Sequence, residues 1–313
     1  TLGVREIDPH IEALRKLGAA FEFAGEAIIV RAERRFRAAA HWLEYASVTR
    51  TEAFVMAAAV ADGVSTLVNA ACEPHVQECL EFIERMGGEV EGRGTSQVRI
   101  AGVSRLHGCE FTFADDFHEV ATFIALGAIT GGRIRVRNDS PQQFPLIDRT
   151  FEKFGVSVSH AAGWTTATSP PVLKVQPPLT SNLLQKVEAA PWPYVPVDLL
   201  PIFVALGVAA EGPTLFWNKV YDGALGWTAE LGKFGAHVVV CDPHRVMTFG
   251  AKPLVPARVE SPYIIRVAIA LLMVAASIPG RSTICNADPI RRAHPRFVEN
   301  LAALGLDVAW TDA

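Results

Sequence analysis

The chain has 313 residues, half of them hydrophobic and a fifth charged, so we expect a folded protein of about two domains rather than a disordered one. A formal net charge of −4 argues against a nucleic-acid binder that relies on phosphate contacts. Five cysteines without a Cys-x-x-Cys pair favour a reducing compartment over a disulfide framework.

The first predicted element is a helix that begins near residue 8. Asp8 is the expected N-cap, and Pro9 suits the first helical position. Arg5 precedes this helix and could stack on a base or bind oxyanions; the alternative is an exposed arginine beside a capped helix. The chain starts at Thr1 without a methionine, and we expect it to be a fragment of a longer protein.

An apolar helix is predicted to follow Ser47 and Val48. Thr49 and Glu52 have the spacing of a capping box, in which two side chains satisfy free backbone N–H groups. Such a helix start can also hold a diphosphate, because its N–H groups and dipole are positive. Capping boxes are often purely structural, so both roles stay open here.

Two alternating signatures predict an internal repeat. In the first, an apolar helix is closed by Gly, five residues and Asn, at 63–69, 132–138, 212–218 and 280–286. In the second, an amphipathic helix ends in a bulky apolar residue and Gly, at Gly18, Gly87, Gly155, Gly235 and Gly305. The apolar helices are apolar nearly all round, which predicts α/β domains with buried helices and sheets partly outside. We place the domain boundary near Asp115, giving domains 1–114 and 115–313.

The segment 191–201 contains the residue that we select for chemistry, Asp198. Three prolines in six residues stiffen an extended run and deliver this carboxylate to the start of a helix predicted over 199–210. The alternative role for Asp198 is to cap that helix.

The last third of the chain contains candidate anion-binding arginines. Arg266 lies in the most apolar run, 264–278, which is too short to cross a bilayer comfortably and is predicted as a buried helix. An unpaired charge there would be costly, so we expect Arg266 to be paired or to face a cleft. Arg292 belongs to a basic cluster whose alternative role is a solvated face. Cys72, His75 and Cys79 have metal-like spacing but no fourth ligand follows, so we predict no metal site.

The opening run 3–19, with its Gly-x-Arg-x-x-Asp-x-His pattern, resembles the UDP-N-acetylglucosamine enolpyruvyl transferases. The resemblance continues through 47–48, 69–74, 116–123, 196–198 and 292–305. It implies an α/β fold of inside-out barrel domains, here N-terminally truncated, with an active site in the cleft between two domains. A mobile-loop Cys or Asp of the family would precede Thr1. The Arg-x-Lys-Glu-Ser-Asp-Arg run of the sister family, the 5-enolpyruvylshikimate 3-phosphate synthases, is not found.

The resemblance implies transfer of the enolpyruvyl group of phosphoenolpyruvate to the 3-hydroxyl of UDP-N-acetylglucosamine, the first committed step of peptidoglycan synthesis. It further implies a cytoplasmic monomer that needs no cofactor and binds no nucleic acid or membrane. Asp198 would be catalytic, and Arg266 and Arg292 would hold phosphoenolpyruvate. The remaining substrate contacts would be Arg5, Glu6, Ile7, Asp8 and Pro9 at the uridine, Ser47 and Val48 at the diphosphate, and the backbone of Leu215.

Three positions depart from the family pattern. Tyr45 stands where Lys is common, Thr49 where Gly is usual, and Phe117 where many members have Arg. These departures leave two alternatives open. The first is transfer to another acceptor, either a different uridine nucleotide or shikimate 3-phosphate. The second is a non-catalytic paralogue that binds a uridine nucleotide.

Overall fold

A computed structural model describes residues 6–32, 35–180, 182–250 and 252–311. The chain forms two compact units, which we describe separately. Of the described residues, those up to Phe113 together with Pro191–Pro193 form the N-terminal unit, and those from Ala114 to Ala190 and from Tyr194 onwards form the C-terminal unit. Among the described residues, no helix is both long and apolar enough to span a membrane.

The described residues of the N-terminal unit form three helices and two sheets. Its elements are α1 (Asp8–Lys16), β1 (Ala20–Ala24), β2 (Ala27–Arg31), β3 (Ala40–Trp42), α2 (Val48–Ala58), β4 (Val64–Val68), α3 (Pro74–Arg85), β5 (Glu89–Glu91) and β6 (Gln97–Ala101). Strands β1 and β2 form a hairpin, and the other strands form a sheet in the order β3-β4-β6-β5. Helix α2 lies in the core, where Phe54 and Val55 are fully buried.

The C-terminal unit is built around three apolar helices. Its helices are α4 (Phe117–Ile129), α5 (Pro145–Glu152), α6 (Leu200–Ala209), α7 (Ile265–Ala276), α8 (Pro289–Ala293) and α9 (Phe297–Ala303), with 3-10 turns at Pro141–Gln143, Val197–Leu199 and Gly226–Phe234. Its strands are β7 (Arg133–Arg137), β8 (Ser157–Ala161), β9 (Trp164–Thr168), β10 (Gln185–Ala189), β11 (Thr214–Asn218), β12 (Val238–Asp242), β13 (Arg245–Thr248), β14 (Arg258–Glu260) and β15 (Thr283–Cys285).

Helices α4, α6 and α7 pack against one another in the core of this unit. Each is buried on nearly every side; in α6, residues 202–208 are all buried. A helix that is apolar on every face is most stable when other elements shield all of its faces from water. Such a helix therefore occupies the centre of the unit. The predicted buried helices are therefore confirmed.

The sheets confirm the internal repeat. Sheet β3-β4-β6-β5 of the N-terminal unit and sheet β10-β11-β13-β12 of the C-terminal unit share one plan, a parallel pair followed by two antiparallel strands. The glycines of the second signature have φ between 78° and 100°, the left-handed region that glycine adopts without a steric penalty. They end a helix and turn the chain towards the next strand.

Three predicted helix starts differ from the structure. Helix α1 has Ile7 as its N-cap, so Asp8 is the first helical residue. Helix α2 begins at Val48 with Ser47 as N-cap, so Thr49 lies inside the helix and no capping box with Glu52 forms. Asp198 lies in a 3-10 turn, and α6 begins only at Leu200. None of these starts has a side-chain capping bond. At α1 and α2, the side chains of His10 and Thr49 contact each other instead.

Gly207 provides a test of the central packing. A Cβ atom added at this position in α6 would lie 2.6 Å from the ring of Phe216 and 2.8 Å from the hydroxyl of Thr248. Phe216 is fully buried, so the ring has little room to move. We expect Gly207→Ala to lower the free energy of unfolding by about 1–2 kcal/mol, because overpacking outweighs the gain in helix propensity.

Chemical denaturation of the variant and the unmodified protein measures this effect. Gly226→Ala is the matched control, since nothing lies within 4 Å of a Cβ at Gly226. A Gly207→Ala variant as stable as the unmodified protein would contradict the packing described here.

Candidate active site

Four of the predicted functional residues lie at or just before the N-terminal ends of buried helices. Asp198 lies two residues before α6, and Arg266 is the second residue of α7. In the N-terminal unit, Ser47 and Val48 begin α2. Because the bodies of these helices are buried and apolar, polar groups reach solvent only at their ends.

Arg266 is the centre of a polar cluster in the C-terminal unit. Its side chain is only 14% exposed, and its Nη2 lies 3.9 Å from Oδ2 of Asp116, the N-cap of α4. Its Nη1 donates to Nε2 of His294 across 3.0 Å. Arginine can only donate, so His294 must accept at Nε2 and carry its proton on Nδ1. That nitrogen faces Oε1 of Glu119 at 3.7 Å.

The charge of Arg266 is balanced by carboxylates on two helix starts. Burial is the strongest influence on Arg266 and lowers its pKa, while Asp116, Asp198 and Glu119 raise it. The side chain nevertheless remains charged at any physiological pH, as arginines do in proteins. Asp198 itself is exposed, and neither its turn nor α6 has a side-chain cap, so the structure does not give it the capping role.

Asp116 is held in its ionised form. Partial removal from water is the largest influence and would raise its pKa, but bonds from His118 and the charges of His118 and Arg266 outweigh it. The pKa of Asp116 therefore lies well below the usual range. Its Oδ1 accepts from the backbone N–H of His118 at 2.9 Å, which caps α4. Burial lowers the pKa of His118, and the hydrogen bond to Asp116 opposes that shift.

Two further predicted contacts lie outside this cluster. Arg292 is an exposed residue of α8, two positions before His294, and no ion pair or hydrogen bond to another described residue holds it. Leu215 lies in the interior strand β11, where it is paired with Lys186 on one side and Met247 on the other. Their substrate contacts remain predictions.

The N-terminal unit brings together the two predicted parts of a nucleotide site. Nε2 of His10, directly after Pro9, lies 2.9 Å from the hydroxyl of Thr49, directly after Val48. The start of α1, with Glu6, Ile7 and Asp8 exposed, therefore lies beside the start of α2. Arg5 lies outside the described residues.

Sequence reasoning did not assign a role to Asp116, Glu119 or His294. For Asp116 a signal was present, since an Asp directly before an apolar helix is a common N-cap, the place it takes in α4. His294 gave no signal of its own, because its partner lies 28 positions away.

The same three side chains also have the spacing of metal ligands. Ligand atoms of Asp116, Glu119 and His294 all lie within 4.8 Å of one another. However, the guanidinium of Arg266 already contacts Asp116 and His294, and a metal ion would lie beside its fixed positive charge. Asp116, Glu119 and His294 therefore suit the Arg266 guanidinium better than they suit a metal ion.

Comparison with known proteins identifies the family. The family model for EPSP synthase (3-phosphoshikimate 1-carboxyvinyltransferase) matches residues 1–301. A UDP-N-acetylglucosamine 1-carboxyvinyltransferase of Borreliella burgdorferi is 34% identical over 307 residues, covering 98% of this chain and 71% of the relative. One from Bradyrhizobium diazoefficiens is also 34% identical over 307 residues, covering 98% and 70%.

Solved structures support the fold. The enolpyruvyl transferase NikO from Streptomyces tendae superposes with a TM-score of 0.84 at 24% identity, covering 99% of this chain and 74% of that one. An EPSP synthase from Acinetobacter baumannii gives 0.71 at 17% identity, covering 99% and 73%. The α/β fold with buried helices is thus the enolpyruvyl transferase fold, and at these identities the likeness supports the fold alone. With the matches over nearly its whole length to named carboxyvinyltransferases, the chain belongs to the UDP-N-acetylglucosamine 1-carboxyvinyltransferase family and is an enolpyruvyl transferase.

Proposed function

We propose that this enzyme transfers the enolpyruvyl group of phosphoenolpyruvate to the 3-hydroxyl of UDP-N-acetylglucosamine and releases phosphate. The observation that carries the proposal is the cluster around Arg266, where a largely buried guanidinium lies close to the exposed carboxylate of Asp198. The names of the relatives support the choice of acceptor. We further propose that the two compact units are the two enolpyruvyl transferase domains.

The cluster supplies an anion site and a base side by side. Phosphoenolpyruvate carries a carboxylate and a phosphate, and both suit a guanidinium fork and the positive ends of helices. Arg266 is held in place by Asp116 and His294, so it can orient the substrate without losing much conformational freedom. We propose that Arg292, which has no described partner of its own, provides the second clamp.

Asp198 would accept the proton of the attacking hydroxyl. The hydroxyl oxygen bonds to C2 of phosphoenolpyruvate and its proton passes to the Asp198 carboxylate, while the C2–C3 double bond takes up a proton from solvent so that C3 becomes a methyl group. The tetrahedral intermediate then returns a proton from C3 to solvent, the C2–C3 double bond forms again, and the electron pair of the breaking bond between C2 and oxygen leaves with the phosphate. An enol ether and inorganic phosphate are the products. A carboxylate within hydrogen-bond reach of the hydroxyl can contribute about 10²–10⁴-fold to such a step.

The start of α2 would hold the diphosphate of the acceptor, and the segment from Arg5 to Pro9 would line the uridine pocket. Helix α2 presents the positive end of its dipole at Ser47 and Val48. In the cell, this reaction would serve peptidoglycan synthesis in the cytoplasm, and we propose that the enzyme acts as a monomer.

The departures at Tyr45, Thr49 and Phe117 favour a second candidate, transfer to a different acceptor. Phosphate release from phosphoenolpyruvate separates the candidates when UDP-N-acetylglucosamine, UMP and shikimate 3-phosphate are offered separately. Release only with the UDP-sugar is the expected result. Release only with another acceptor would overturn the assignment of the acceptor, and no release with any acceptor would favour a binding paralogue.

Replacing Asp198 tests its role as a base. We expect Asp198→Asn to lower kcat by about 10²–10⁴-fold, because an amide cannot accept the hydroxyl proton. The dissociation constant of the nucleotide should stay within a few-fold. Steady-state kinetics and nucleotide titration measure the two quantities. Asp222→Asn is the matched control, an 82% exposed carboxylate of the same unit. Near-normal turnover of the Asp198→Asn variant would remove Asp198 from the mechanism.

Replacing His294 tests how Arg266 is held. His294→Leu removes the acceptor of Nη1, and a hydrogen bond to a charged group contributes about 1.5–3 kcal/mol. We therefore expect the KM for phosphoenolpyruvate to rise about 10–100-fold, with a much smaller change in the KM for the nucleotide. His294→Gln keeps an acceptor near the position of Nε2 and should restore much of the affinity. Equal KM values for phosphoenolpyruvate in the His294→Leu and His294→Gln variants would contradict this role.

A further inference from the structure

Arg50, the third residue of α2, is a buried cation at the start of this helix. The residue is only 3% exposed. Its side chain folds back past the helix start, where Nη2 donates to the hydroxyl of Tyr45 at 2.6 Å and the guanidinium carbon lies 4.4 Å from the centroid of the Tyr45 ring. Its Nε is buried and has no hydrogen-bond partner among the described residues.

No described carboxylate forms an ion pair with Arg50. The neighbouring His10 senses the charge, since burial and then the positive charge of Arg50 lower the pKa of that imidazole. A charge removed from water normally requires an opposite charge and a full set of hydrogen bonds. Here both the counter-charge and one hydrogen-bond acceptor are lacking in the part of the chain that the structure describes.

The helix start adds more positive character at the same place. Ser47 makes no side-chain capping bond, and no described residue accepts from the backbone N–H groups of Val48, Thr49 and Arg50. These groups carry the positive end of the helix dipole. Nδ1 of His10 is also buried without a partner in the described chain. The Arg50 guanidinium and the uncapped N–H groups thus belong to the same helix start, beside the His10 ring, and both kinds of donor suit an anion.

We infer that Arg50 supplies the counter-charge for the diphosphate of the nucleotide substrate. The inference rests on the proposed function and adds to it a residue beyond Ser47 and Val48. Tyr45 is a positioning residue, because its ring and hydroxyl hold the guanidinium at the helix start. Arg50 would thereby supply, from within α2, the positive charge that the family resemblance predicts as a lysine at position 45.

Titrations of the Arg50→Gln variant test the inference. The probes are UDP and inorganic pyrophosphate by calorimetry, with uridine measured by competition. We expect UDP and pyrophosphate to bind about 10–100-fold more weakly, since a charged hydrogen bond is lost, while uridine is unaffected. Arg99→Gln is the matched control, because Arg99 pairs with Glu91 on the surface of the same unit and should leave all three affinities unchanged. Unchanged UDP affinity, or an equal loss for uridine, would overturn the inference.

Arg50→Lys covers the case in which the Arg50→Gln variant does not fold. Lysine keeps the charge but loses the planar fork, so we expect an intermediate loss of UDP affinity and normal uridine affinity. An Arg50→Lys variant that binds UDP as tightly as the unmodified protein would count against a phosphate contact.

The same proteins distinguish failure of this inference from failure of the proposed function. If the enzyme uses UDP-N-acetylglucosamine but Arg50→Gln leaves its KM unchanged, the inference is wrong and the function stands. If the enzyme uses a different acceptor but Arg50→Gln still abolishes pyrophosphate binding, the inference stands and the assigned acceptor is wrong. If neither UDP nor pyrophosphate binds the unmodified protein, the inference is overturned.

Discussion

The arrangement of this protein depends on the burial of helices that have no polar face. In α6, every residue from 202 to 208 is buried, and α4 and α7 are nearly as apolar. Such helices can be covered only by one another and by sheets, so functional groups are confined to their ends. The N-terminal ends of α4 and α7 lie close together, because Arg266 at the start of α7 approaches Asp116, the N-cap of α4. Converging helix N-termini favour negative charge, which suits an enzyme family whose substrates are anions.

Two buried guanidinium groups, those of Arg266 and Arg50, differ in how their positive charge is compensated. Arg266 has carboxylates close by and a histidine acceptor, so its charge is balanced and its orientation fixed. Arg50 has an aromatic ring and a hydroxyl but no described carboxylate. The first arrangement fixes the orientation of an arginine by protein contacts alone. The second has an unbalanced buried charge, which an anionic ligand would stabilise.

The residues that depart from the family pattern are each engaged by a neighbour. Tyr45 holds Arg50, and Thr49 contacts His10. Phe117 is buried in the first turn of α4 and stacks on His118, with ring centroids 3.9 Å apart. These contacts give each departure a local structural role. They are also the positions where the acceptor preference of this enzyme could differ from that of its relatives.

The sequence by itself determined the repeat, the buried helices and the family. These follow from local patterns, because glycine endings and all-round apolarity act over a few residues and recur in each repeat. It also selected Asp198 and Arg266 for chemistry, although their roles remain untested. Tertiary structure decided which partners these residues have. The contact of Arg266 with His294 spans 28 positions, and that of His10 with Thr49 spans 39. It also moved the predicted starts of α1 and α2 by one or two residues, since the side chains of His10 and Thr49 contact each other there and no local side-chain cap forms.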